Sequence, residues 1–135
     1  MGKLKFEAAP DVELKARELV ERIGMKHVDC GRLKFMRSNG SKSRAIARIW
    51  EMPRIWQLAL GIKPHYVIEV IAERFDRVSE EEKSKTVLHE LMHIPKNFSG
   101  AVLSHKRSSF DGQGGHKIER IDSRTVERLF RQTEG

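Results

Sequence analysis

Residues 79–95 read Ser-Glu-Glu-Glu-Lys-Ser-Lys-Thr-Val-Leu-His-Glu-Leu-Met-His-Ile-Pro. Ser79 followed three residues later by Glu82 is the pattern of a capping box, in which side chains satisfy free backbone groups at a helix N-terminus. Pro95 cannot continue a helix, because it lacks a backbone N–H and its ring clashes with the preceding turn. The stretch therefore predicts a helix that begins after Ser79 and runs to about Ile94.

Two histidines and a glutamate lie on one side of this predicted helix. His89 and His93 are four residues apart, so they lie one above the other. Two imidazoles at that spacing can bind one tetrahedral zinc ion. Glu90 lies about 100° around the helix from His89, which places it beside the metal as a candidate general base. The opposite face is apolar and is predicted to be buried: Val87, Leu88, Leu91 and Met92.

A catalytic zinc site needs a third protein ligand and an open fourth position. The chain after Pro95 offers three candidates, His105, His116 and Glu119. We expect His105 to be the ligand, although loop closure alone separates it from His116 by only about 0.6 kcal/mol, the cost of doubling a loop. His116, approached through a glycine-rich segment, and Glu119 remain alternatives.

Outside this stretch, apolar spacing and end signals predict three further helices. The first follows Pro10 and ends at Gly24, a short second one runs from Pro53 to Leu60, and the last is capped by Asp122 or Ser123. Strands are predicted over residues 33–37, 45–50 and 65–75, the first two pairing across the turn at residues 38–41. The pattern predicts an α+β fold in a single domain over residues 1–135, with a small mixed β-sheet of three or four strands and packed helices.

Composition limits the classes of protein that the chain can belong to. Its 135 residues are 39% hydrophobic and 33% charged, which indicates a globular domain. One cysteine cannot form an intrachain disulfide, no apolar run approaches the roughly 20 residues of a membrane span, and the N-terminus lacks a signal-peptide core. We therefore expect a cytoplasmic protein with no membrane partner. The net charge of +7 permits nucleic acid as a partner, but the basic residues are scattered.

The run from His89 to Pro95, with Gly100 and the sequence Ser104-His105-Lys106, resembles HExxH zinc metallopeptidases, in particular a small family of predicted archaeal and phage metallopeptidases. The resemblance implies a zincin-like minimal metalloprotease core and hydrolysis of a protein or peptide substrate. It implies that zinc is held by His89, His93 and His105 and that Glu90 is the catalytic base.

The same resemblance implies that the strand over Tyr66–Ala72 is the edge strand that holds an extended peptide, the alternative being an ordinary buried strand. The sequence departs from the metzincin pattern, which would place Gly and His where Lys96 and Ser99 stand. Two other functions stay open, a nucleic-acid-associated protein such as a protease of DNA-bound proteins, and a non-catalytic metal-binding regulatory module.

Overall fold

The computed structural model describes residues 3–105 and 120–134. Its strands are β1 (Lys5–Ala8), β2 (Leu33–Asn39), β3 (Ala47–Trp50) and β4 (Tyr66–Ile71). Its helices are α1 (Pro10–Ile23), α2 (Arg54–Leu60), α3 (Ala72–Phe75), α4 (Glu80–Leu91) and α5 (Ser123–Gln132), with one 3₁₀ turn at Cys30–Arg32. The predicted α+β class with a small mixed sheet is confirmed, and the four predicted helices are all present.

The four strands form one sheet in the order β1-β2-β4-β3. Strand β4 is parallel to β2 and antiparallel to β3, while β1 is antiparallel to β2. The predicted pairing of β2 with β3 is therefore wrong, because β4 lies between them. Of the two alternatives for β4, the structure shows the inner, buried strand and not the edge strand that the resemblance implied. The two edge strands are β3 and β1, and β1 was not predicted. The strand predicted over residues 65–75 ends at Ile71, because helix α3 begins at Ala72.

Helices α1, α4 and α5 pack together, and two of them also pack against the sheet, α1 on β2 and α4 on β3. The predicted apolar face of α4 is fully buried, since Val87, Leu88, Leu91 and Met92 are each 0% exposed. These residues join the strand residues Tyr66, Ile68 and Val70 in one hydrophobic cluster. The helix that carries the histidines is thus fixed on one side by the core.

The two ends of α4 are set by different groups. The Ser79 hydroxyl accepts a hydrogen bond from the Glu82 backbone N–H at 3.2 Å, which is the N-cap half of the predicted capping box. The helix ends at Leu91, three residues earlier than predicted. The His93 backbone N–H donates to the Glu90 carbonyl at 3.1 Å, a tighter turn than an α-helix makes. His93 therefore lies in the turn after the helix, while His89 and Glu90 lie on it.

Candidate metal centre

Three imidazoles converge at the end of α4. The ring centroids of His89 and His93 are 5.2 Å apart, those of His89 and His105 are 5.2 Å apart, and those of His93 and His105 are 4.7 Å apart. Each ring offers a nitrogen that lies within 4.8 Å of the other two. The structure therefore brings together the three histidines that were predicted from the sequence as metal ligands.

Leu103 holds the imidazole of His93 in one orientation. The His93 Nδ1 is hydrogen-bonded to the backbone carbonyl of Leu103, and the Leu103 N–H donates to the His93 carbonyl at 2.7 Å. A carbonyl can only accept, so Nδ1 carries the proton and Nε2 keeps its lone pair. A backbone carbonyl behind a ligand histidine is a common way to fix the tautomer that binds a metal.

The chain returns to the site through a segment tied down by Tyr66. The Tyr66 hydroxyl accepts from the Gly100 N–H at 2.8 Å and donates to the Ala101 carbonyl at 2.7 Å. Further on, the carbonyl of His105 accepts from the Ile121 N–H at 2.9 Å, just before α5. Both anchors bind main-chain groups of this segment, and they place the exposed His105 beside the half-buried His89. Tyr66 thus positions the loop rather than contacting the histidine cluster.

Burial favours the neutral form of His89 and His93. Loss of solvent, together with the nearby imidazoles of His93 and His105, lowers the pKa of His89 to about 4. Burial also lowers the pKa of His93, although its bond to the Leu103 carbonyl acts in the opposite direction. A neutral imidazole is the form that binds a metal, since its second nitrogen has a free lone pair.

Glu90 lies at the free edge of β3. The Ile71 N–H donates to the Ile46 carbonyl at 2.9 Å, and backbone groups along an antiparallel strand alternate between pointing toward and away from the partner. Counting from Ile46, the N–H groups of Ala47 and Ile49 point away from β4. The Ile49 N–H donates to Glu90, but burial outweighs this bond and raises the pKa of Glu90 to about 8.

The donor set fits zinc. Two nitrogens that are each about 2.0–2.1 Å from a tetrahedral zinc ion lie roughly 3.4 Å apart. The Nε2 atoms of His89 and His105 are 3.2 Å apart, and three imidazole nitrogens would leave a fourth position of a tetrahedral ion free. This arrangement suits a catalytic rather than a closed structural site.

Sequence comparison identifies the family. A protein-family model described as "Putative phage metallopeptidase" matches residues 4–132. The chain belongs to this family. No curated protein and no solved structure matches the chain. Membership in a metallopeptidase family supports a hydrolase that acts on peptide bonds with a bound metal, in agreement with the resemblance found in the sequence.

The protein has a cleft beside the three histidines. Its volume is about 420 Å³, and its walls are formed by β3, the outer face of α4 and the start of α5. His89 and Glu90 line it together with Ala47 and Val126. The carboxyl and one candidate ligand therefore face a space in which a substrate chain can lie.

Two of the alternative ligands, His116 and Glu119, lie outside the described residues. Sequence reasoning also missed two functional contacts, the Leu103 carbonyl behind His93 and the Ile49 N–H on Glu90. Both are main-chain groups, which carry no residue-type signal in a sequence.

In residues 3–105 and 120–134, no helix combines the length and apolar character needed to cross a bilayer.

Proposed function

We propose that the protein is a zinc-dependent peptidase in which His89, His93 and His105 hold the metal and Glu90 is the general base. One observation carries the proposal: the donor nitrogens of three imidazoles lie within 4.8 Å of one another beside a buried carboxyl, in a member of a metallopeptidase family. His105 is favoured over His116 and Glu119 because its Nε2 lies 3.2 Å from that of His89.

The bound peptide lies along the free edge of β3 rather than along β4. An extended substrate can add a strand to an exposed sheet edge, with backbone hydrogen bonds supplying the affinity. The outward N–H groups of Ala47 and Ile49 are the donors for that strand, and the cleft between β3 and α4 receives its side chains. In the absence of substrate, Glu90 accepts the hydrogen bond of the Ile49 N–H. When the peptide binds, Glu90 releases this N–H, which then donates to the peptide.

The chemistry divides between the metal and the chain. When bound, zinc supplies Lewis acidity and lowers the pKa of a coordinated water. Glu90 accepts a proton from the attacking water and passes it to the leaving amine, which suits a carboxyl whose pKa lies near the working pH. Leu103 holds the ring of His93, and the apolar core behind α4 keeps His89 and Glu90 in a fixed relation.

The test uses zinc-loaded protein and a mixture of unstructured peptides, with new termini identified by mass spectrometry. We expect cleavage by the parent, and a loss of about 10²–10⁴-fold in rate for Glu90→Gln with zinc content unchanged, which is the range that general acid–base groups contribute. Glu81→Gln, an exposed glutamate on the same helix, is the matched control and should cleave normally. Cleavage by Glu90→Gln at the parent rate would refute the role of Glu90, and loss of zinc in that variant would make it a ligand.

A further inference from the structure

Helix α2 turns its apolar side chains outward. Ile55, Trp56, Leu58 and Leu60 are 74%, 58%, 67% and 57% exposed, and the following Ile62 is exposed as well. The helix has a single buried residue, the polar Gln57. A surface helix ordinarily buries its apolar stripe against the core and shows its polar face to water, so α2 has the reverse arrangement.

Gln57 fastens the helix to the body of the protein. Its side-chain nitrogen donates to the carbonyls of Met52 at 2.8 Å and Ser99 at 2.9 Å. Viewed down the helix axis at 100° per residue, the apolar side chains form an arc of about 200° centred opposite Gln57. Leu58 and Leu60 are at its two ends, and Ile55 and Trp56 lie between them. The apolar surface is therefore convex and wide, and it is held out from the protein by polar contacts on the other side.

The charge around α2 is positive. No Asp or Glu occurs between Glu51 and Glu69, while Arg54 begins the helix and Lys63 follows it. Both cations are exposed, and neither is paired with a carboxylate within residues 3–105 and 120–134. The chain as a whole carries +7. An anionic surface thus complements both the helix and the protein.

We propose that α2 docks on an anionic membrane surface, lying in the plane of the headgroups with its apolar arc buried. Interfacial helices bury their apolar face by about 5–10 Å, and a helix with its side chains is about 10–12 Å thick, so the exposed arc fits that depth. Lys and Arg beside the inserted face add attraction to anionic lipids. Such a contact needs no membrane-spanning segment, which is why the search for spans in the sequence does not reveal it.

A second copy of the chain fits the surface less well. Stable protein interfaces bury about 800 Å² on each partner, whereas a seven-residue helix is only about 10 Å long. A convex arc also packs poorly against an identical convex arc. Like charges at Arg54 and Lys63 would face each other across such a contact.

Binding is measured by co-sedimentation with vesicles of phosphatidylcholine alone, or of equal parts phosphatidylcholine and phosphatidylglycerol. We expect tight binding only to the anionic vesicles, weakened by added salt because screening reduces the attraction. The double variant Ile55→Ser/Leu58→Ser should lose at least about a hundredfold in partition coefficient, since burying one large aliphatic side chain accounts for about tenfold or more. Leu14→Ser removes an equally exposed leucine on α1 and should bind as the parent does.

A second readout locates the inserted helix. Tryptophan emission of the parent should shift to shorter wavelength on vesicle binding, and Trp56→Phe should abolish that shift while still sedimenting with the vesicles. Failure of the parent to bind anionic vesicles, equal binding to neutral ones, or equal loss in Leu14→Ser would overturn the proposal. Analytical ultracentrifugation that finds a dimer, dissociated by the double variant, together with no vesicle binding would assign the surface to a second copy.

Discussion

Glu90 should make the stability of the metal-free protein depend on pH. Its side chain is 8% exposed, and burial raises the pKa to about 8 from an ordinary value of 4.5. Above about pH 5 the unfolded chain loses this proton while the folded chain keeps it, so stability falls as the pH rises toward the folded pKa. Between about pH 5.5 and pH 7 the free energy of unfolding should drop by roughly 2 kcal/mol from this group alone.

The assay is urea denaturation of chelator-treated parent and Glu90→Gln at several pH values. Glutamine has no carboxyl to ionise, so the stability of the variant minus that of the parent should rise by roughly 2 kcal/mol over that interval. The histidines titrate in both proteins, and their contributions cancel in the difference. A difference that stays constant with pH would mean that the Glu90 carboxyl is not held protonated in the folded state, and would refute the burial argument.

Two further changes test how the loop before His105 is held. Tyr66→Phe should lower the free energy of unfolding by about 1–3 kcal/mol, because Gly100 N–H and Ala101 C=O lose their partner; chemical denaturation measures this. Gly100→Ala should lower the free energy of unfolding by about 1–3 kcal/mol more than Gly61→Ala does, although both glycines have positive φ. A Cβ at Gly100 would lie 2.4 Å from the Gln57 side-chain nitrogen, whereas a Cβ at Gly61 meets nothing within 4 Å. Equal losses in the two alanine variants would contradict the close approach of the loop to α2.

Local patterns in the sequence predicted four of the five described helices, while the single turn of α3 was predicted as the end of a strand. Gly24 and Gly61 end α1 and α2 in left-handed conformations with φ of +82° and +65°, and Asp122 caps α5. The ends depend on neighbouring residues, so they are encoded locally. The end of α4 was placed too late because Pro95 sets only an outer limit, and the turn closes earlier through the Glu90 carbonyl.

Strand order was the part that local patterns could not supply. The turn at residues 38–41 made β2 and β3 look like a hairpin, but β4, which comes later in the chain, lies between them. Strand β1 was missed because it has only four residues and all four are exposed, so the alternation of Lys5-Phe6-Glu7-Ala8 marks no buried face. The edge position of β3, and with it the location of Glu90 beside the Ile49 N–H, follows from these long-range pairings.

The residues of the candidate site that lie close together in the sequence could be predicted, and the distant one could not be predicted with the same certainty of position. His89, Glu90 and His93 followed from helical spacing, whereas His105 was chosen among three candidates that loop entropy hardly separates. The structure brings His105 to the other two histidines through the Tyr66 hydroxyl and the Ile121 N–H, which anchor the backbone on either side. Neither anchor has a pattern that links it to His105 in the sequence.

The central claim is tested most directly by the zinc affinity of single histidine variants, measured by competition with a chromophoric chelator. The parent should bind about one zinc per chain. His105→Ala should lose more than the roughly 10–100-fold that follows removal of a group behind a ligand, while His116→Ala and the control His65→Ala should bind nearly as the parent does. Full affinity in His105→Ala together with a large loss in His116→Ala would contradict the account and make residue 116 the third ligand.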